Sequence, residues 1–314
     1  MKFILQLSGE HPTLPLAELK AVLDGQMLEY DVRTEGRLAF VKTVDEGAEF
    51  VSRLAYTLSA AEEVSVARGV DGLAADIYDS ICEAPTFRVT GSQKVQKRLG
   101  DLLTKFGMVV DLKNPAAEVL VYETGGGYVA GLRIKAERGY QLRRAQYRPY
   151  FHPTSMHPKL ARALVNLSRV SSDDTVLDPF CGTGGVLIEA GLMGIGLCGW
   201  DIDPKMVEGC RQNLGEFGLA GEVSVNDALK GRGSADAIAT DPPYGRSSYS
   251  SEDPGRLYGK FLSNARAILD GGCFMALMAP SDREISSGGF KAVETFDVYI
   301  HKSLTRRIWV LEAI

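Results

Sequence analysis

Apolar residues in the first 139 positions fall into short alternating runs separated by stretches with helical spacing. KFILQL predicts a strand, LPLAELKAVL a helix, and the segments on either side of Glu35–Gly36 a pair of strands closed by a tight turn. EGAEFVSRLAYTL carries apolar residues three and four apart and predicts a helix before the next strand. A second set follows: a helix near Asp76–Cys82, a strand at FRVT, a helix from Lys94 to Phe106, and two strands, EVLVYET and YVAGLRI, joined by Gly125–Gly127. Both sets read as small α+β units. From His157 onward the pattern changes, and apolar strands (TVLDPF, GLCGWDI, EVSVND, ADAIATDPP, CFMALMAP) alternate with helical stretches. Such alternation predicts a doubly wound parallel sheet, because each strand-helix-strand crossover returns to the same sheet. The polar, aromatic, proline-containing segment ERGYQLRRAQYRPYFHP lies between the two regimes and reads as a linker.

Size and composition narrow the partners. A chain of 314 residues predicts two or three domains. No apolar run approaches the ~20 residues of a membrane span, and the apolar core of MKFILQLSGEHP is too short for a signal peptide, so a soluble, cytoplasmic protein without a membrane partner is expected. Five cysteines, odd in number and without a C-x-x-C pair, indicate neither a disulfide framework nor a zinc ribbon. His152 and His157 lack an acidic or cysteine partner nearby in sequence and suit capping or packing better than metal, so no metal site is expected. The net charge of −5 argues against a nucleic-acid partner until its distribution is considered. Residues 86–150 hold 12 Lys+Arg against 5 Asp+Glu, whereas residues 1–85 hold 7 against 15. A basic island inside an acidic chain is the footprint of a segment that meets a polyanion.

The parallel-sheet half carries the candidate chemistry. DPFCGTGG, Asp178 to Gly185, stands at the junction of the first strand with a helix, where glycines let a ligand approach the backbone. Its G-x-G-G spacing is not that of a dinucleotide fingerprint, and Asp178 would repel a pyrophosphate; a ligand with a cationic amino-acid end suits it better. Nineteen residues beyond Gly182 comes Asp201, placed to accept from ribose hydroxyls, and one strand later Asp227, a candidate acceptor for an adenine amino group. The next strand ends in TDPPYGRSS, Thr240 to Ser248. Asp241-Pro242-Pro243-Tyr244 within it is similar to the motif of enzymes that methylate an exocyclic amino nitrogen, and such an amine on guanine, adenine or cytosine is a poor nucleophile because its lone pair is delocalised into the ring. The Asp241 carboxylate and the Pro242 carbonyl can hold its two N–H groups so that the lone pair turns out of the ring, and Pro242 and Pro243 keep those acceptors in place. Tyr244 offers a face for an extruded base. Cys181 sits inside the glycine loop, yet amine methylation needs no covalent intermediate. Arg246 suits either an RNA phosphate or a cap for its own loop.

These elements, in this order, resemble the class I S-adenosylmethionine-dependent methyltransferases. The resemblance implies a strand order 3-2-1-4-5-7-6 with the last strand, HKSLTRRIWVLEAI, antiparallel. It also implies S-adenosyl-L-methionine contacts from His157, Asp178, Phe180, Cys181, Gly182, Thr183, Gly184, Asp201, Ile202, Asp227, Ala228 and Asp241, with catalysis by Asp241, Pro242, Pro243 and Tyr244. In the first half, FRVTGSQ and the stretch through YVAGLRI resemble the THUMP domain of tRNA-modifying enzymes, and the preceding unit looks like the ferredoxin-like domain that accompanies it. YRPYFHPTSMHPKLARALVNLS is similar to the archaeal and eukaryotic methyltransferases that modify N2 of guanosine at position 10 of tRNA. The implied division is 1–50 ferredoxin-like, 51–138 THUMP, 139–156 linker and 157–314 methyltransferase. The implied partner is tRNA, not DNA, gripped at its 3′ end, with Lys94, Lys97, Arg98, Arg143 and Arg144 on phosphate. Relatives also work with a small zinc-binding activator protein. Rival readings fit less well. A DNA amino-methyltransferase needs no THUMP module, a thiouridine synthase needs an S-G-G-x-D-S loop that Ser287–Lys291 does not supply, and a non-catalytic tRNA binder needs none of the cofactor residues.

Overall fold

The computed structural model describes the chain apart from residues 45–46, 137, 154, 244–253, 283–284, 286–287 and 302–303, and describes only the backbone of 254–256 and 301. In chain order the elements begin with β1 (Lys2–Leu7), α1 (Leu14–Gly25), β2 (Tyr30–Glu35), β3 (Leu38–Thr43), α2 (Phe50–Arg53), β4 (Thr57–Ala67), α3 (Ala74–Ile81), β5 (Phe87–Thr90), α4 (Gln93–Lys105), β6 (Ala117–Thr124) and β7 (Gly127–Ile134). They continue with α5 (Pro158–Leu167), β8 (Thr175–Asp178), α6 (Gly185–Gly191), β9 (Gly196–Asp201), α7 (Pro204–Glu216), β10 (Glu222–Val225), β11 (Ala237–Thr240), α8 (Pro254–Arg266), β12 (Phe274–Pro280), β13 (Phe290–His301) and β14 (Leu304–Ala313). Two compact units result: Met1–Glu10, Leu28–Val51 and Thr57–Glu137 form one, and His11–Met27, Ser52–Tyr56 and Arg138–Ile314 the other. Among the described residues no helix is long and apolar enough to cross a membrane.

In the first unit both α+β sets lie on one seven-stranded sheet of order β2-β3-β1-β4-β7-β6-β5. Strand β4 joins them, pairing antiparallel with β1 through Ile4↔Ala61 and with β7 through Val66↔Val129. Helices α3 and α4 close the β5–β7 part. Leu73, Ile77 and Ile81 on one side and Val95, Leu99 and Leu103 on the other bury their four-residue repeats against Phe87, Val89, Val119 and Val121.

The second unit has a seven-stranded sheet of order β10-β9-β8-β11-β12-β14-β13. Strands β8 to β12 are parallel, and β14 pairs antiparallel with both β12 and β13. Numbered within the unit, this is the expected 3-2-1-4-5-7-6. Strand residues alternate between two cores: Val176, Ala237, Ala276, Ile308 and Val310 pack with α1, α5, α6 and α7, while Leu177, Ile238, Met275, Leu277 and Leu311 pack with α8. A sheet buried on both faces explains the near-continuous apolar runs. β13 is the sixth strand of that order, for which the sequence reading had assigned no stretch. FKAVETFDVYIH mixes polar and apolar positions as an edge strand does, and it pairs on one side only, from Phe290↔Ala313 to His301↔Leu304.

The helix expected over 46–58 is reduced to the four residues of α2. Beyond it, the amides of Ala55 and Tyr56 do not turn back on the preceding carbonyls; each donates at 2.8 Å to the carboxylate of Glu18 on α1. Glu18 is fully buried and also accepts from Asn166 Nδ2 of α5 at 2.8 Å, so α1 is tied to α5 by a satisfied carboxylate.

Candidate active site

Strands β8, β9, β10 and β11 run parallel, and an acid stands at or just past the carboxyl end of each: Asp178, Asp201, Asp227 and Asp241. That edge is where ligands bind in such sheets. The loop from Asp178 to α6 is fixed by its own backbone, with Cys181 N donating to Trp200 O and Gly184 N to Cys181 O, both at 2.8 Å. Gly182 N donates to Asp201 Oδ2 at 3.0 Å, which ties the loop to the end of β9. The two glycines serve different ends. Gly184 has φ 83°, and a Cβ there would lie 2.7 Å from Cys210 Sγ on α7, whereas Gly182 has φ 50° and open space where its Cβ would stand. The first permits close packing, and the second leaves room for a ligand.

Three of the acids are oriented locally, each accepting from the amide two residues ahead. Asp178 Oδ1 accepts from Phe180 N at 3.2 Å, Asp201 Oδ1 from Asp203 N at 2.9 Å, and Asp227 Oδ1 from Leu229 N at 2.9 Å. Asp178 also accepts from Thr240 Oγ1 at 2.7 Å. Burial pushes its carboxyl up to about 7, with the nearby charges of Asp241 and Asp201 adding to the shift. Burial likewise raises Asp201. Asp227 additionally has Lys230 Nζ at 3.5 Å. Asp241 has Pro243 two residues ahead and so finds no amide there; the Arg306 guanidinium of β14 forks onto it instead. Nη1 donates to Oδ2 at 2.7 Å and Nη2 to Oδ1, with Arg306 only 4 % exposed and Asp241 20 %. Sequence reasoning missed Arg306. The available signal was its parity, because it sits on β14 in step with the buried Ile308 and Val310.

The remaining candidates fall into place around this edge. Ile202, beside Asp201, is apolar yet 41 % exposed, and Ala228 is buried next to Asp227. Phe180 packs edge-on against Phe261 of α8 at 5.1 Å, and Asn264 of α8 donates to the carbonyls of Ala228 and Gly231 at 3.0 Å. A hydrogen bond to Cys210 and burial hold the Cys181 thiol far above its ordinary pKa, so it is a small protonated side chain in the loop. Thr183 Oγ1 meets Ser155 Oγ at 3.0 Å, and Asn213 donates to the carbonyls of Thr183 and Tyr150, so Tyr150 and Ser155 are both tied to the loop. His157 caps α5, its Nδ1 accepting from Lys159 N at 3.2 Å. A pocket of about 270 Å3 beside that cap is lined by Arg144, Phe151, Ser155, Met156 and His157 among others. Tyr244 and Arg246 lie outside the described residues.

The expected phosphate contacts divide. Lys94, Lys97 and Arg98 stand on the solvent face of α4, Arg98 with Asp71 as ion-pair partner. Arg144 is exposed. Arg143 is taken up inside the protein, where it forks onto the fully buried Glu189 at 2.7 and 2.9 Å alongside Arg162. Its guanidinium neutralises a buried carboxylate.

Comparison with known proteins agrees with this geometry. The RMKL-like methyltransferase domain model of family UPF0020 matches residues 145–301. The chain is 36 % identical over its whole length to the whole of the tRNA (guanine(10)-N2)-dimethyltransferase of Methanothermobacter thermautotrophicus. Its fold matches the crystal structure of TrmN from Thermus thermophilus with a TM-score of 0.56 at 23 % identity, each chain covered in full. It also matches SMU.472, a putative methyltransferase complexed with SAH, with a TM-score of 0.52 at 16 % identity over 99 % of this chain and 98 % of that one. With four acids in strand order, a glycine loop and full-length kinship all in agreement, the chain belongs to the tRNA (guanine(10)-N2)-methyltransferase family.

Proposed function

We propose that this protein methylates the exocyclic N2 amine of guanosine at position 10 of tRNA, once and then again, with S-adenosyl-L-methionine as donor. The observation that carries the reading is Asp241, set just past the end of β11 beside the glycine loop's Asp178 and held by Arg306. Asp241 and the Pro242 carbonyl accept the two N–H groups of the amine, which turns its lone pair out of the ring. Neither Pro242 nor Pro243 carries an N–H that would compete for those acceptors. Tyr244 gives the extruded base a stacking face, worth about 1–3 kcal/mol.

The residues at the sheet edge suit the donor. Asp201 accepts from the ribose hydroxyls and Asp227 from the adenine amine, while Ile202, Ala228 and Phe180 flank the ring; the exposed Ile202 and the open Gly182 are the features that fit. Asp178 faces the ammonium end, with Cys181, Thr183, Gly184 and the His157 cap bounding that side. When bound, S-adenosyl-L-methionine supplies a methyl group on a positively charged sulfur. The protein's part is orientation and proximity.

Residues 51–138 act as the THUMP module and 1–50 as its ferredoxin-like companion, less 11–27 and 52–56, which cluster with the doubly wound sheet, and Lys94, Lys97, Arg98 and Arg144 meet tRNA phosphates in the cytoplasm. A small zinc-binding activator completes the assembly, a reading that rests on resemblance. Single-turnover methylation tests the chemistry. The expected order is wild type, Asp241→Asn, Asp241→Ala, with a loss of ~10²–10³ for Ala and little change in cofactor or tRNA affinity. An Asp241→Ala chain that keeps more than about a tenth of the rate overturns the role given to Asp241.

A further inference from the structure

We propose that Arg306 is the positioning residue of the methyl-transfer step, supplying from β14 the orientation that Pro243, lacking an N–H, withholds from Asp241. The inference rests on the reading of Asp241 as the acceptor for the amine. Its starting point is the contrast among the four strand-end acids. Asp178, Asp201 and Asp227 each have an amide two residues ahead that fixes the carboxylate plane. At the corresponding place after Asp241 stands Pro243, which has no N–H to give. The prolines that keep competing donors away from the amine's acceptors thereby also remove the amide that aims each of the other three acids.

Arg306 fills that gap from 65 positions away along the chain, with one Nη on each oxygen. A guanidinium fork matches a carboxylate in two parallel bonds and fixes the plane of the group. An ionised carboxylate offers about four acceptor sites, and the fork takes one on each oxygen, so acceptor sites remain on both for an incoming amine. The strand gives a second reason. Arg306 shares the buried parity of Ile308 and Val310 and is 4 % exposed, so a cation stands where the pattern calls for an apolar side chain. Such a residue is retained at a buried site when it has a charge to hold. Its partner is the one acid of the four with a proline two residues ahead, close enough to Asp178 for the two charges to repel. Arg306 therefore keeps Asp241 aimed and electrically balanced, and touches neither base nor methyl donor.

The test is a coupling measurement on the full chain, using S-adenosyl-L-methionine and a tRNA transcript. Single-turnover rates are compared for wild type, Arg306→Gln, Arg306→Lys, Asp241→Asn and the double variant Asp241→Asn/Arg306→Gln, with S-adenosylhomocysteine affinity measured by calorimetry and folding by thermal melting. Arg306→Gln is expected to lose ~10²-fold in rate with cofactor and tRNA affinity unchanged. Arg306→Lys, which keeps charge without the fork and carries the test if the Gln variant fails to fold, is expected to lose about tenfold. Added to Asp241→Asn, the Arg306→Gln change should cost less than about threefold, because the group it aims has already been altered. An equal loss from Arg306→Gln with and without Asp241→Asn overturns the proposal, as does a wild-type rate in Arg306→Gln. The underlying reading fails in a different way, through full-rate Asp241 variants.

Discussion

At the residue scale, the place proposed for Asp178 at the ammonium end predicts cofactor binding that depends on pH. Burial raises its carboxyl from 3.8 to about 7, so below that pH the folded chain carries it protonated. An ammonium group facing it needs the ionised form, and each pH unit below about 7 then costs about 1.4 kcal/mol, or tenfold in affinity. Calorimetric titration with S-adenosylhomocysteine should show affinity rising about tenfold per unit up to pH 7 and levelling above it, with Asp178→Asn weaker and flat. A flat wild-type profile would remove Asp178 from the ammonium end. For the free chain the sign runs the other way. The raised group stabilises the fold fully below its unfolded value of 3.8, and this contribution is lost as pH climbs to about 7. The acids themselves were legible in sequence because parallel strands deliver their ends in order to one edge. Arg306 was not, since the only mark it leaves is a charge at a buried parity, and its partner is 65 positions away. Arg143 looked free for phosphate because nothing in its neighbourhood announces Glu189, 46 positions on.

At the scale of elements, Glu18 shows what propensity misses. The run 46–58 has helical spacing, yet the amides of Ala55 and Tyr56 belong to a carboxylate 37 positions upstream. Burial raises the Glu18 carboxyl, and its three donors, Ala55 N, Tyr56 N and Asn166 Nδ2, oppose that shift. Replacing Glu18 by Leu would strand two buried amides and one N–H of Asn166, whose other bond runs to Arg53 O, at about 3–5 kcal/mol in total, while Glu18→Gln keeps one acceptor oxygen and should cost about 1–2. Urea unfolding distinguishes the two, and equal, small losses would mean that α1 is held by its apolar residues alone. The strands were easier to read than the helices. Short near-continuous apolar runs, buried on both faces, marked β8 to β12, and the family resemblance supplied the antiparallel β14, so these were found where expected. β13 escaped because an edge strand with one partner needs no apolar run.

For the whole molecule, the chain order of the two units is interleaved. Residues 11–27 and 52–56 cluster with the doubly wound sheet, so a fragment cut at residue 151 lacks α1 and the groups that satisfy Asn166. A linear reading of composition sees the polar linker and cannot see that return. Charge is likewise a property of the whole, and a net −5 conceals the basic island between residues 86 and 150. If α4 meets tRNA phosphate, tRNA affinity should fall steeply with salt, by a slope of about 0.7–0.9 per contact released. Lys94→Glu/Lys97→Glu should weaken tRNA binding at least tenfold and flatten that slope, with S-adenosylhomocysteine affinity unchanged; a salt-independent affinity would turn the island toward another partner. The central claim concerns the product. Unmodified tRNA is incubated with the purified chain and S-adenosyl-L-methionine, digested with nucleases and mapped by mass spectrometry. The account predicts N2-methylated and N2,N2-dimethylated guanosine at position 10, absent with Asp241→Ala and absent from DNA. Methyl groups on any other nucleotide, or on DNA with tRNA unmodified, would contradict it.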